Sequence, residues 1–401
     1  MRVFEGKARS AAAAGSGGIP GSGEAGSLEN TANNLARAGQ SPDYRVLRWQ
    51  ARGVLWRESN LPRVTKCGRW PVTRDGSVQV RADGRAVGYA GLSSCGSVWA
   101  CPVCNARIQA VRRLEVGTAL AWALRDGGAA FGAYTLRHHA SSSLDGTWRG
   151  LSKCWEAVAR DKSVRQLRAR LGLLGTIRAS ECTHGQNGWH PHLHPVHLFA
   201  APVSDADVRA LHVVQFRAWS AAADRLGFDA PVLGAQDLHR VGGASAHAEL
   251  GDYFTKASYA PEPQAVGWEM TSTQTKSRTR AAESRTPWDL LSAVHQEGDA
   301  DALDLWHTWE RDSKGKRALT WSRGLRDLVG LNDEASDEDI AAAEVGSAVD
   351  TGFVITDWAP IRSNPRLGAE LLAVVGPAKN WKAGLDFCRL HGITTTTEVD
   401  R

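Results

Sequence analysis

Glu181-Cys182-Thr183-His184-Gly185-Gln186-Asn187-Gly188-Trp189-His190-Pro191-His192-Leu193-His194 reads as two strands joined by the turn Thr183 to Gly188. Asn187-Gly188 supplies the residue pair that tolerates positive φ, so the spacing predicts a hairpin of Leu174 to Cys182 and Trp189 to Phe199. Side chains alternate along a strand, which puts His190, His192 and His194 on one face. Three imidazoles on one face make a ready site for a divalent metal, whereas leaving them unpaired in a core would carry the cost of burying polar groups. Glu181 ends the first strand, and the hairpin would carry its carboxylate across to the histidine face as a third ligand. Two imidazoles and one carboxylate leave positions open on an ion, as holding a substrate oxygen requires.

The flanking sequence alternates in a way that places this hairpin. Ala130 to Leu136 is a short strand, and Thr147 to Arg160 a helix with Trp148, Leu151, Trp155 and Val158 on one side. Ser204 to Leu226 is a helix capped by Ser204 and Asp205, Val232 to Val241 a strand, and Ala246 to Tyr259 a further helix. Strand, helix, hairpin, helix, strand is the split βαβ plan, so the expected fold class is α+β, ferredoxin-like or RRM-like, with the hairpin central in an antiparallel sheet. On the last helix Glu249, Tyr253 and Lys256 fall at i, i+4 and i+7 and share a face. A tyrosine beside a metal can act as a phosphoryl nucleophile, with Glu249 activating a water or second hydroxyl and Lys256 offsetting developing charge.

A second set of ligands precedes the hairpin. Cys67 and Cys95 lie upstream of the Cys101-Pro102-Val103-Cys104 knuckle, which runs into a predicted helix, Ala106 to Leu124, with Ile108, Val111, Leu114, Val116 and Leu120 as its apolar stripe. Four such thiols are expected to form a tetrahedral structural Zn²⁺ site. Cys154, Cys182 and Cys388 are isolated and read as packing residues. An odd total of seven cysteines, four of them clustered, suits a reduced compartment. With no apolar run long enough to span a bilayer and no signal-like opening, the expected location is cytoplasmic, without membrane contact.

The 401 residues, 42% hydrophobic and 23% charged, suffice for two or three domains and a sizeable core. Residues 1–43, rich in Ala, Gly, Ser and Pro, are expected to be disordered. Residues 44–127 form a Cys-rich zinc module with its connecting helix, and residues 128–262 the domain of the metal hairpin. Residues 263–330 are a basic and aromatic helical region, with a polar loop over Glu269 to Arg285, a helix over Pro287 to Glu297, and Trp306, Trp309, Arg317, Trp321 and Arg326 as candidate DNA contacts. Residues 331–401 are read as an acidic tail region, with 6 Lys/Arg against 12 Asp/Glu, which leaves 42 against 31 in the rest. A basic body suits a polyanionic partner such as DNA.

Gly188 through His194, followed by Glu249 through Tyr253, resembles the HUH endonuclease core of rolling-circle replication initiators, specifically the Rep proteins of Gram-positive and actinomycete plasmids. Ala133-Tyr134-Thr135-Leu136-Arg137-His138 resembles that family's first motif, and the likeness spans roughly residues 60 to 330. The resemblance implies that His192 and His194 bind Mg²⁺ or Mn²⁺, which reduces His190 to a supporting position. It implies that residues 128–262 are a nicking domain in which Tyr253 cuts single-stranded origin DNA, stays joined to the 5′ end and leaves a 3′-OH primer. Glu249 would activate the water that ends a round, and actinomycete members carry a similar Cys cluster. Pro195 departs from the pattern, because an apolar strand residue usually follows the second histidine; it suggests an edge or bulge and leaves His197 uncounted as a ligand. No GxxxxGK[ST] segment is present, so a host helicase, a DNA polymerase and single-strand binding protein are implied partners. An HUH transposase or relaxase is the alternative within the same chemistry; relaxases usually have their tyrosine upstream of the histidines, where only the loosely placed Tyr44 would serve. A non-catalytic zinc-dependent DNA-binding regulator is the alternative outside it, and the sequence leaves the oligomeric state open.

Overall fold

The computed structural model describes residues 44–83, 86–241, 284–343 and 349–397. The predicted helix Ala246 to Tyr259, with Glu249, Tyr253 and Lys256, lies outside the described residues, as do residues 1–43 and most of the polar loop. Among the described residues, helices and two antiparallel sheets alternate.

The chain begins with helix α1 (Tyr44–Glu58), followed by the hairpin strands β1 (Val78–Asp83) and β2 (Ala86–Ala90) and the long helix α2 (Pro102–Asp126). Cys101 occupies the N-cap of α2 and Pro102 its first turn, so the CxxC knuckle is the start of the helix itself. The predicted stripe on α2 needs correction. Ile108, Val116 and Leu120 are buried, but Val111 and Leu114 are exposed. Their place on the buried face goes to Arg112, whose guanidinium meets Glu115 at 3.0 Å, Glu334 at 3.5 Å and Asp337 at 3.0 Å. A buried cation with three carboxylate partners is satisfied where a lone one would not be.

Next come β3 (Gly128–Thr135), α3 (Leu144–Arg160), α4 (Lys162–Arg170), β4 (Leu173–Gly185), β5 (Gly188–Phe199), α5 (Asp205–Arg225) and β6 (Asp237–Arg240). Trp148, Leu151, Trp155 and Val158 are all buried on α3, as their spacing predicts. The cap of α5 is Ser204, but its capping-box partner is Asp207 and not the expected Asp205. Helices α6 (Pro287–Glu297) and α7 (Ala300–Ser313) lead to strand β7 (Leu319–Trp321). The five-stranded sheet runs β6-β3-β5-β4-β7, every neighbouring pair antiparallel. Thus β5 separates the parallel strands β3 and β4, and β3 separates β5 and β6, the interleaving that defines a split βαβ arrangement. The hairpin is central, and one face of the sheet packs Ile177, Ala179, Val196 and Leu198 against Val116 and Leu120 of α2. The opposite face packs Tyr134 and Leu193 against α3 and α5.

Trp306 and Trp309, read from sequence as candidate DNA contacts, are fully buried and cannot stack on bases. Trp309 stacks on Trp189 of the hairpin at 5.6 Å, meets Trp99 edge-on at 5.5 Å, and donates its indole N–H to the Trp99 carbonyl at 2.8 Å. These rings share one core with the four clustered cysteines. The acidic C-terminal region is folded. Strand β8 (Val349–Ile355) pairs with β1, β9 (Thr395–Thr396) pairs with β8, and the helices α8 (Pro365–Val375) and α9 (Trp381–Leu390) complete a core with Trp49, Tyr89 and Phe353. No helix of the described residues is long and apolar enough to cross a membrane.

Candidate metal centre

The turn fixes the geometry of the hairpin. Gly185 pairs with Gly188 across Gln186-Asn187, and Gly188 takes φ +80°, where a Cβ would lie 3.2 Å from the Ala140 backbone. From there β4 and β5 stay in register through Thr176 and His197, with Glu181 opposite His192 and Ala179 opposite His194. The carboxylate is therefore delivered to the histidine face by register alone. Glu181 Oε2 lies 2.9 Å from His192 Nε2 and 3.0 Å from His194 Nε2.

Second contacts fix which nitrogen of each ring points inward. His192 Nδ1 donates to the His190 carbonyl at 3.1 Å, and His194 Nδ1 donates to the Gly132 carbonyl at 3.3 Å. Both leave Nε2 for Glu181 or an ion, the arrangement by which ligating histidines are usually oriented. Gly132 is available because Pro195 has no N–H and pairing between β3 and β5 lapses beside it. The expectation of an edge or bulge at Pro195 is corrected accordingly: the strand is central and its pairing with β4 unbroken.

Burial opposes charge on Glu181, yet the neighbouring His192 and hydrogen bonds from both rings hold its carboxyl far below the usual carboxylate range. Burial likewise opposes charge on His192, but Glu181 outweighs it and the pKa rises; for His194 burial wins and the pKa falls. An ion in place of the shared protons would find three donors already converging. Cis ligands at about 2.1 Å on an octahedral ion lie about 3.0 Å apart, so these separations would admit a divalent ion.

His190 is not part of this group. Its Nε2 meets the Thr135 hydroxyl at 3.3 Å and its Nδ1 meets His138 Nδ1 at 3.5 Å, while burial and the nearby His192 push its pKa down to about 3. His197 faces the other side of the sheet, fully buried between Thr176 at 2.8 Å and Gln215 at 3.0 Å, as a satisfied core residue. His138 ends the stretch that resembles the family's first motif, but its contact with His190 depends on the loop after β3 and has no signal in the spacing.

Cys67, Cys95, Cys101 and Cys104 form the second group, all buried, with their sulfurs within 4.8 Å of one another. Three of the S···S separations are 3.6 Å. A tetrahedron with about 2.3 Å Zn–S bonds has edges of about 3.8 Å, so the group could hold a metal such as zinc. Hydrogen bonds from the sulfurs of Cys101, Cys104 and Cys95 hold the Cys67 thiol well below its ordinary value, assisted by the charge of Arg52. Sequence reasoning missed Arg52. It is buried, lies over the Trp49 ring at 3.4 Å, and fills the space where a Cβ on Gly68 would fall. A buried cation there offsets the negative charge that a four-thiolate metal centre would carry.

A mixed helix and antiparallel-sheet protein with a half-open His₂Glu triad and a closed Cys₄ cluster is the class that fold and site define. In sequence, the chain is similar to Protein rep of Streptomyces lividans, at 29% identity over 335 residues, 67% of this chain and 71% of that protein. It is also similar to the neomycin resistance protein of Streptomyces cyanogenus, at 34% identity over 143 residues, 29% of this chain and about a third, 32%, of that protein. The resemblance to actinomycete Rep proteins thus extends well beyond the short motifs. No family model and no solved structure matches.

Proposed function

We propose that this protein initiates plasmid replication by cutting one strand of origin DNA, with His192, His194 and Glu181 holding a divalent ion and Tyr253 as nucleophile. The observation that carries the reading is the convergence of Nε2 of His192 and His194 on one oxygen of Glu181, on the two central strands of a sheet. Similarity to Protein rep of Streptomyces lividans supports the choice of origin DNA as substrate.

A bound Mg²⁺ or Mn²⁺ would polarise the scissile phosphate and offset its charge. The backbone carbonyls of His190 and Gly132 keep the two imidazoles turned toward it. Tyr253 gives up its phenolic proton and its oxygen forms a bond to phosphorus; the bond from phosphorus to the 3′ oxygen breaks, and that oxygen takes a proton to become the 3′-OH primer. The resulting 5′-phosphotyrosine conserves the bond energy for rejoining. Glu249 acts as base for the water or hydroxyl that closes the cycle, and Lys256 offsets the charge on the pentacoordinate phosphorus. In this reading the sheet is an HUH core and the Cys₄ group holds structural zinc. A host helicase, a polymerase and single-strand binding protein complete the reaction, because no nucleotide-hydrolysis motif is present in the sequence. Incubation with Mn²⁺ and single-stranded origin DNA should yield a covalent protein–DNA adduct that Tyr253→Phe abolishes. An adduct that survives Tyr253→Phe, or its absence from the wild type, refutes the assignment.

A further inference from the structure

A phenol with its ordinary pKa of about 10 keeps its proton at neutral pH, so a tyrosine that attacks phosphorus needs an acceptor for that proton. In the triad both Nε2 atoms and the Glu181 carboxylate are turned on one another. His190 beside them is engaged at both nitrogens, by the Thr135 hydroxyl and by His138. Strand β6 brings a further imidazole to the same face of the sheet. His239 pairs with Phe131 of β3, and Asp237 pairs with Ala133, and side chains directly opposite one another share a face. Phe131 is the common wall: its ring lies parallel to His194 at 5.6 Å and edge-on to His239 at 5.6 Å. Strand β3 lies between β6 and β5, so two strand spacings, about 10 Å, separate the dyad from the triad. Between them β3 presents the half-buried Ala133 and Thr135, small side chains that leave a shelf for a phosphodiester.

The dyad is built as a base is built. Asp237 Oδ2 accepts the Nδ1 hydrogen of His239 at 2.8 Å, which settles the tautomer: Nδ1 carries the hydrogen and Nε2 keeps its lone pair. Both side chains are exposed, so Nε2 is within reach of a reactant on the shelf. A carboxylate behind an imidazole is the arrangement that orients a general base. We propose, on the reading that this protein cuts origin DNA with Tyr253, that His239, oriented by Asp237, takes the phenolic proton. The proton passes from the tyrosyl oxygen to His239 Nε2 as that oxygen bonds to phosphorus. The bond from phosphorus to the 3′ oxygen breaks, the 3′ oxygen takes a proton from water, and His239 later releases its own to solvent. When the strand is rejoined, the same nitrogen returns a proton to the departing phenolate.

The test uses the full chain with Mn²⁺ and single-stranded origin DNA, and reads the single-turnover rate of adduct formation beside the affinities for DNA and Mn²⁺. His239→Gln should slow adduct formation about 100-fold or more, with both affinities within about twofold of wild type. Asp237→Asn should slow it less, about tenfold, because the imidazole stays but loses its orienting partner. Added imidazole should restore adduct formation to His239→Gly in proportion to its concentration, which a merely structural role for the side chain would not allow. A His239→Gln protein that forms the adduct at the wild-type rate, or a slow His239→Gly protein that imidazole does not restore, would overturn the base assignment alone. A wild type that forms no adduct, or an adduct that survives Tyr253→Phe, would overturn the strand-cutting reading with it.

Discussion

The two clusters of metal-ligating side chains differ in number, access and surroundings. Four cysteines are enclosed by the tryptophan core, with Cys101 wholly inaccessible. The triad offers three side chains that could ligate an ion, and those of Glu181 and His192 keep 22% and 16% of their surface. A complete, buried thiolate set has no position for a substrate, whereas three donors with an open side do. In the proposed function one chain would therefore separate holding a fold together from presenting an ion to a reactant, and the contacts of Trp309 with Trp99 and Trp189 join the two.

The largest expected effect comes from opening the closed cluster. Cys101→Ser should release the metal and lower stability by several kcal/mol, a large part of the roughly 5–15 kcal/mol that a folded domain has. Thermal unfolding and zinc content check this, and a melt within about 2 °C of wild type would break the contrast. A smaller effect should appear at the triad with pH. His192 has a raised pKa because Glu181 favours its charged form against burial, so below that pKa an ion must displace a proton. Mn²⁺ affinity should fall as pH drops through the raised value, by up to about tenfold per unit for each proton displaced, and level off above it. Calorimetric titration across pH would show the slope; a flat profile would contradict the assigned ligands. The smallest effect belongs to an isolated thiol. Cys388→Ala removes a buried sulfur outside the cluster and should cost about 1 kcal/mol with unchanged metal content.

What was legible in the sequence was local. Asn187-Gly188 marks the turn and puts Glu181 on the histidine side of a hairpin, but spacing leaves the register open; the strands run on to Gly185 and from Gly188, and that pairing sets Glu181 opposite His192. The CxxC knuckle announced Cys101 and Cys104, and α2 begins at Pro102 between them. Long-range pairing left no such trace. Strand β8 joins β1 across some 270 residues, and its sequence, set in an acidic stretch, reads as tail. Glu334 and Asp337 look like solvated charges until Arg112 is found buried against them. Trp306 and Trp309 look like stacking platforms because burial is a property of the assembled core. Pro195 was misread because its missing N–H is answered by a side chain, His194, on the Gly132 carbonyl.

If this chain carries one closed zinc site and one exchangeable divalent site, a metal inventory reads both at once. After dialysis against EDTA, one zinc per chain should be retained, with one Mn²⁺ equivalent rebinding to the wild type and none to a His192→Ala, His194→Ala double variant that keeps its zinc. A protein that retains no zinc, or a double variant that binds Mn²⁺ as the wild type does, would contradict it.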